Sequence, residues 1–344
     1  MKAAVIHEFG DFDVLKVEEV PTPEPQAGEV LIKILATGLN RLEDYIREGS
    51  LVPELAWPHI LGADAAGEVA ALGDDVTGFA IGERVIPQPG FPTDPADYET
   101  RPGAATASFN LPGLHRPGTY AQYISVPARF VAKDTTGLSP EQAATLPMAL
   151  ATGVRAVRGV GEVKAGDKVL VHSGASGSGS MQIQVAKALG ADVATTVRSS
   201  EKAEFAKSIG ADLVINTREE DFVVKVKEWS GGHGADVVID NLGGDVLPKS
   251  IEAVKPLGVV VVFGFTAGPE TTFDVRSLFF EQKKLRGTMA SDIEDLEWGL
   301  EQVKAGRIKP LLDKVLPLSR AGAAHKLLSE SKVKGNIVLQ PWAA

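Results

Sequence analysis

The sequence predicts a two-domain α/β chain: a doubly wound parallel sheet of six strands, plus a second, discontinuous domain rich in β-strands. Three observations lead there. A β-prone strand, a glycine- and serine-rich turn and a helical pattern follow one another in VLVHSGASGSGSMQIQVAKALGAD, which starts at Val169. From about Leu138 short apolar runs alternate with helical patterns, as parallel strands joined by crossover helices do. Ahead of that point, short strand patterns are separated by proline and glycine turns, which fits a small, partly closed antiparallel domain.

Taken in order, the β-rich part carries strand patterns at Lys2 to Ile6, Glu29 to Gly38, Gly67 to Ala71 and Arg84 to Pro87. Residues 88 to 118 are dense in proline, glycine and alanine and have almost no periodicity. A loop of that length is a lid, a binding loop or a partner surface, and its Phe91, Tyr98, Phe109 and Leu114 are placed to cover a cleft and select bulky substrates. The parallel sheet is predicted from Lys168 to His172, Asp192 to Val197, Leu213 to Asn216, Val237 to Asp240, Gly258 to Phe263 and Leu285 to Met289. Leu285 to Met289 would be the sheet edge, and an unpaired edge is a natural dimer surface. A helix over Asp292 to Ala305, a strand over Asp313 to Leu318, a helix over Ala321 to Ser329 and a strand over Gly335 to Gln340 do not extend the alternation. They are read as returning to the first domain, so the division is 1–145, 146–290 and 291–344.

Composition narrows the function. The chain has 344 residues, is 44% hydrophobic and carries a formal net charge of -10. That is a globular composition with room for two cores, and its acidity argues against a nucleic-acid or anionic-membrane surface. With no cysteine, disulfides, thiolate metal sites and a cysteine nucleophile are all excluded. The opening MKAAVIHEFGDFDVLKVEEV lacks the apolar core of a signal peptide, and the longest strongly apolar run, Gly258 to Gly264, is only strand length. A cytoplasmic protein is expected.

The glycine-rich turn carries the chemistry. Between a strand and a helix, Ser176, Gly177, Ser178 and Gly179 would let backbone approach a dinucleotide pyrophosphate, whose charge the helix N-terminus favours. The next strand ends at Val197 and is followed by Arg198, Ser199, Ser200 and Lys202, with no acid before Glu201. An acid at the strand end would hold the free ribose of NAD. Cations there favour NADPH, with Arg198 and Lys202 on the 2′-phosphate and the serines as neutral donors. Ser199 or Ser200 can at the same time cap the following helix.

Further segments carry a resemblance: GLNRLEDYIREG (Gly38 to Gly49), PHILGADAAGEV (Pro58 to Val69), ALATG with Thr152, VINTREEDF with Thr217, and KGNIVL with Asn336. In order and spacing they resemble the medium-chain dehydrogenase/reductase superfamily, and in particular the zinc-free quinone oxidoreductases of the zeta-crystallin type. The resemblance implies a Rossmann domain for NADPH, a GroES-like catalytic domain, and homodimers or homotetramers. It places Thr152 near the cofactor phosphates, Thr217 where a tyrosine often helps hold the 2′-phosphate, and Asn336 where a polar side chain returns to the cofactor. The alternative for Asn336 is a turn residue before an edge strand. Asn241 and the turn at Gly264 and Phe265 follow the fourth and fifth strands, where ligands of such sheets bind. In the zinc-dependent relatives a cysteine stands at the place of Asn40 and a histidine at that of Ala63. The six histidines, His7, His59, His115, His172, His233 and His325, show no ligand spacing, so no metal is expected.

A reduced nicotinamide without a Lewis acid suits acceptors that take hydride readily, namely quinones and α,β-unsaturated carbonyls. Asn40 and Tyr45 are the candidate catalytic donors, Tyr45 as oxyanion donor and proton source and Asn40 as amide donor or orienter. Both also have ordinary structural readings, Tyr45 as a packed ring and Asn40 as a partner for buried backbone groups. Where the family often has a second tyrosine this chain has Leu51, and Arg41 either touches substrate or pairs with Asp44. The alternatives are a reductase of enoyl thioesters or another carbonyl class, and an NADPH-binding protein without turnover.

Overall fold

The structure is a computed structural model and describes residues 1–343. Two compact units are formed. The first comprises Met1–Ala151, Ala290–Lys304 and the residues from Pro310 onward, and the second comprises Thr152–Met289 and Ala305–Lys309. The boundaries therefore fall at 151/152 and 289/290 instead of 145/146 and 290/291, and residues 305–309 go with the second unit. One reason is visible at Leu150, which stays in the first unit because it packs directly on Gly299.

The second unit holds the six parallel strands, in the spatial order Leu213–Asn216, Asp192–Val197, Lys168–Val171, Ala235–Asp240, Val254–Val262, Lys284–Gly287. Their apolar residues are continuous because helices cover both faces; Val169, Leu170, Val171, Ile239, Val260 and Val261 are all fully buried. The crossover helices are Gly177–Ala188, Ser200–Ser208, Phe222–Trp229 and Val246–Ala253. Phe222, Val226 and Ile251 close one face over Leu170, Ala194, Ile215 and Val238. The fifth strand begins ahead of its apolar run, at Val254, and turns through Leu257 at φ 65°. The sixth ends at Gly287, and Met289 lies beyond it, exposed. It is the edge of the sheet, with Phe279, Phe280 and Leu285 exposed around it. The order reverses where Lys168–Val171 lies beside Ala235–Asp240, the crevice at which ligands of such sheets bind.

In the first unit the strand Glu29–Gly38 is central, paired antiparallel to Ala66–Leu72, Tyr123–Pro127 and Asn336–Gln340. Alternation along it puts Val30, Ile32 and Ile34 in a core with Val69, Val85, Ile124 and Val126. Asn336–Gln340 also pairs in parallel with Leu312–Pro317, so the C-terminal strand is interior and not an edge. Among the described residues no helix is long and apolar enough to cross a membrane.

Residues 88–118 correct the sequence reading. They contain a short pair, Phe91–Pro92 with Phe109–Asn110, and two 3-10 turns. Phe91 is fully buried and stacks on Phe130 at 5.2 Å, and Tyr98 meets the same ring edge-on at 5.3 Å. Phe109 packs with Ala63 and Leu111, and the Gly103 N–H donates to Asp292 at 2.8 Å. The aromatic side chains thus fill this unit's core and are not held out toward a substrate. Phe91→Ala is expected to cost about 3–5 kcal/mol of stability, as other buried aromatic truncations do. A denaturant midpoint within error of the parent would show that the segment is only loosely attached.

Candidate active site

In the second unit the strand Lys168–Val171 runs into His172, then Ser173 at φ 56°, and the helix Gly177–Ala188 opens at Ser176. The Ser176 hydroxyl caps it, accepting from the Gly179 N–H at 3.0 Å. The first-turn N–H groups of Gly177 and Ser178 have no helical acceptor of their own, which makes this end attractive to an anion. A side chain at 179 would stand 2.3 Å from the Ser173 carbonyl, and one at 174 would stand 2.2 Å from Thr195 Oγ1. Gly179 is therefore required by close packing of helix on turn. Gly174, which the sequence reading passed over, is required equally.

Four of the predicted residues meet across the turn. Asn241 follows the strand Ala235–Asp240 and its amide donates to Ser178 Oγ at 3.5 Å, while its own buried Oδ1 has no partner among the described residues. Gly264 lies against the Asn241 carbonyl so closely that a Cβ would be 2.4 Å from it, and Phe265 comes next. An orphaned amide oxygen, a helix N-terminus and three positions that admit no side chain fit a dinucleotide. Thr152 is buried, and its neighbour Gly153 packs against Gln182 of the helix that also carries Ser178.

At the next strand end, Arg198 is exposed and Ser199 is the helix cap, accepting from the Lys202 N–H at 3.3 Å. Thr217 stands alongside but donates its hydroxyl proton to the Val197 carbonyl at 3.3 Å. In that rotamer its oxygen is left to accept. Arg218 follows it, exposed. Among the described residues neither Arg198 nor Arg218 is in a salt bridge, so both are free to meet an anion. Arg218 was not among the sequence-predicted residues, because it lies two residues past the strand end, with no pattern of its own to mark it.

In the first unit Asn40 begins the helix Arg41–Arg47 in extended conformation. Its N–H donates to Glu43 at 2.6 Å, and its side-chain amide donates to Asp64 Oδ2 at 3.0 Å. Asp64 also accepts from the Met148 N–H at 2.7 Å, and Glu43 from the Ala63 N–H at 3.2 Å. Glu43 and Asp64 are both essentially fully buried. Burial, and then the charge of Asp64, push Glu43 up to about 8; burial pushes Asp64 up to about 7 against the opposing Asn40 donor. Two buried acids engaged by Asn40 and by backbone N–H groups, a neutral amide and the methyl of Ala63 do not make a zinc ligand set. Among the described residues no group of three or more metal-ligating side chains is assembled anywhere.

Tyr45 is half-buried on the same helix, and Leu51 packs into the core beside it. Arg41 pairs with Asp44 at 3.2 Å and donates to the Leu328 carbonyl, so its cation faces inward. Asp44 accepts from His325 Nδ1 at 2.8 Å and from Ser329 at 3.0 Å; burial alone would raise it, but these donors and Arg41 hold it below its ordinary value. Asn336 is buried, with its amide donating to the Thr145 carbonyl at 2.8 Å. It supports Asn40 indirectly, since the next residue's carbonyl receives the Leu39 N–H.

Known oxidoreductases resemble the chain along nearly its whole length. The pattern of the alcohol dehydrogenase GroES-like domain matches residues 26–136, and that of zinc-binding dehydrogenase matches residues 177–305. A 2-haloacrylate reductase of a Burkholderia species is 33% identical, over 99% of each chain. A quinone oxidoreductase of Rattus norvegicus is 31% identical, over 98% of this chain and 97% of its own. A solved NAD-dependent alcohol dehydrogenase superposes with a TM-score of 0.92 at 34% identity, over 99% of each chain.

The buried acids give a pH signature. Both are raised above their unfolded values, so the stability they confer is whole near pH 4 and is lost as pH climbs through about 7 and 8. Each acid contributes a slope of at most about 1.4 kcal/mol per pH unit. Unfolding free energy should fall between pH 5 and 8, and Glu43→Gln should flatten that fall whatever its fixed cost. An unchanged slope in the variant would show that Glu43 is ionised throughout.

Proposed function

Because the chain belongs to the medium-chain dehydrogenase/reductase superfamily, in its zinc-free quinone oxidoreductase-like family, we propose that it reduces quinones or α,β-unsaturated carbonyl compounds at the expense of NADPH. The observation that carries this reading is the Asn40 amide pinned to Asp64, where zinc relatives place a metal ligand. When bound, the nicotinamide supplies hydride, held through the Ser176 to Gly179 turn, Asn241, Gly264, Phe265 and Thr152.

This chain's residues then act on the acceptor oxygen. As the acceptor is reduced, negative charge collects on its carbonyl oxygen and calls for donors already in place. Asn40 Nδ2 has one proton on Asp64 and a second left to donate, so it is assigned to that oxygen. Tyr45 is assigned as the second donor and as the source of the proton that completes the reduction. For an enone the hydride joins the β-carbon and the proton neutralises the enolate; for a quinone the hydride and the proton give the hydroquinone. The 2-haloacrylate relative fits this class, since such a compound carries a carbon–carbon double bond conjugated to a carboxylate.

Solved crotonyl-CoA carboxylase/reductases that superpose on the chain fit the enoyl-thioester alternative, but the first unit's arginines do not speak for it. Arg41, Arg47, Arg84 and Arg101 are each paired with an acid, and Arg116 lies over Phe91. NADPH is favoured over NADH by Arg198, Lys202 and Ser199 at the second strand end, with Arg218 beside them.

The test is nucleotide oxidation with NADPH and NADH in parallel against 1,4-benzoquinone, 9,10-phenanthrenequinone, 2-cyclohexenone and a crotonyl thioester, before and after chelation. Turnover that prefers NADPH and survives the chelator is expected, and Arg198→Ala should raise the KM for NADPH about tenfold while leaving that for NADH unchanged, since hydrogen bonds to charged groups contribute about 1.5–3 kcal/mol. Preference for NADH would remove the assignment of Arg198 and Lys202. Binding without turnover would leave a nucleotide-binding protein.

A further inference from the structure

Beneath the glycine-rich turn lies a buried polar chain that the proposed chemistry does not use. His172 is 1% exposed and Asp240 and Ser250 are fully buried. His172 Nδ1 is 3.0 Å from Thr196 Oγ1 and Nε2 is 2.9 Å from Ser250 Oγ. Ser250 Oγ in turn donates to Asp240 Oδ2 at 2.7 Å. Phe222 closes the ring edge-on at 4.9 Å.

The hydrogen-bond directions follow from the two ends. Asp240 accepts three donors, Ser250 on Oδ2 and the Leu242 and Gly243 N–H groups on Oδ1 at 2.8 and 2.9 Å. With its proton on Asp240, Ser250 can only accept from the ring, so His172 carries its hydrogen on Nε2. Nδ1 then accepts from the Thr196 hydroxyl, whose oxygen accepts the Ser173 N–H at 3.1 Å. Burial lowers the His172 pKa and keeps the ring neutral, with Asp240 opposing that shift. The chain therefore runs one way, from the Ser173 N–H through Thr196, His172 and Ser250 to the carboxylate that shapes residues 242 and 243.

Its two ends are the two turns assigned to the dinucleotide. Ser173 starts the glycine-rich turn, and the Asp240 to Gly243 turn carries Asn241 with its unpartnered oxygen. Asn241 also joins the two turns directly, donating to Ser178 Oγ at 3.5 Å, and the His172 chain is the fully buried link beneath it. We propose that His172 is a positioning residue that locks these two turns in register through Thr196 on one side and Ser250 and Asp240 on the other, so that they grip the dinucleotide as one surface. The inference rests on the reading of that surface as the nucleotide site.

Ser250 and Thr196 give the cleaner variants, because His172 substitutions put the fold at risk. NADPH affinity is measured on the full chain by nucleotide fluorescence for Ser250→Ala, Thr196→Val, the double variant and Thr196→Ser, together with kcat at saturating NADPH and the thermal midpoint of the ligand-free protein. Breaking the chain at either link should weaken NADPH binding about fivefold to tenfold, with kcat changed less than twofold and Thr196→Ser binding like the parent. The double variant should be no weaker than the weaker single one, since a chain already broken loses nothing at its second link. Unchanged affinity, additive losses, or variants that lose the fold instead of affinity would each overturn the proposal while the parent still binds. A parent that binds neither NADPH nor NADH would overturn the reading of the site itself, and this proposal with it.

Discussion

The constraint on which the second unit depends is that its six strands run the same way. In a parallel sheet every strand ends on one side, so the turn after each carboxyl end is delivered to the same rim. Here that rim receives the Ser173 to Gly179 turn, Arg198 and Ser199, Thr217 and Arg218, and the turns at 240–244 and 264–268. The glycines at 174, 179 and 264 are the local condition for this, since a side chain at any of them would collide with backbone or with a buried neighbour. An anion-seeking helix end, an orphaned amide oxygen and unpaired cations then lie on one rim without any residue having been displaced to bring them there.

In the first unit a different physical arrangement does the corresponding work. Where zinc relatives use a charged ligand set, this chain buries two acids that meet no cation among the described residues and lets a neutral amide face them. The acids respond by holding protons at higher pH than usual, and the amide is oriented by the carboxylate it donates to. The consequence is a donor whose direction is set in advance, the property that the proposed role of Asn40 toward an oxyanion requires. The neighbouring Asp44, His325 and Ser329 contacts tie the same helix to the C-terminal helix Ala321–Ser329.

Much of this was legible from the sequence, because local signals govern it. Strands such as Glu29–Gly38 and Asp192–Val197 carry their own patterns, and the glycine-rich turn announces the helix Gly177–Ala188 by composition. What was illegible is what depends on residues far apart. Nothing in GLNRLED and GADAAGEV shows that Glu43 and Asp64 share one buried space, and His172, Thr196, Asp240 and Ser250 come from three strand ends and a helix. Composition misled at residues 88–118, where proline and glycine suggested a mobile cover but Phe91 and Phe109 are core residues. Thr217 and Asn336 were assigned to the ligand by resemblance, and the backbone bond that each donates depends on residues far along the chain that no local pattern shows.

The central claim is that hydride moves to an activated acceptor without a metal, with donors from this chain stabilising the charge. The most direct measurement uses NADPH deuterated at C4 with 2-cyclohexenone as acceptor and chelator-treated protein. The account predicts deuterium on the β-carbon of the product and slower turnover than with unlabelled nucleotide. Product without deuterium, or activity that returns only when zinc is added, would contradict it.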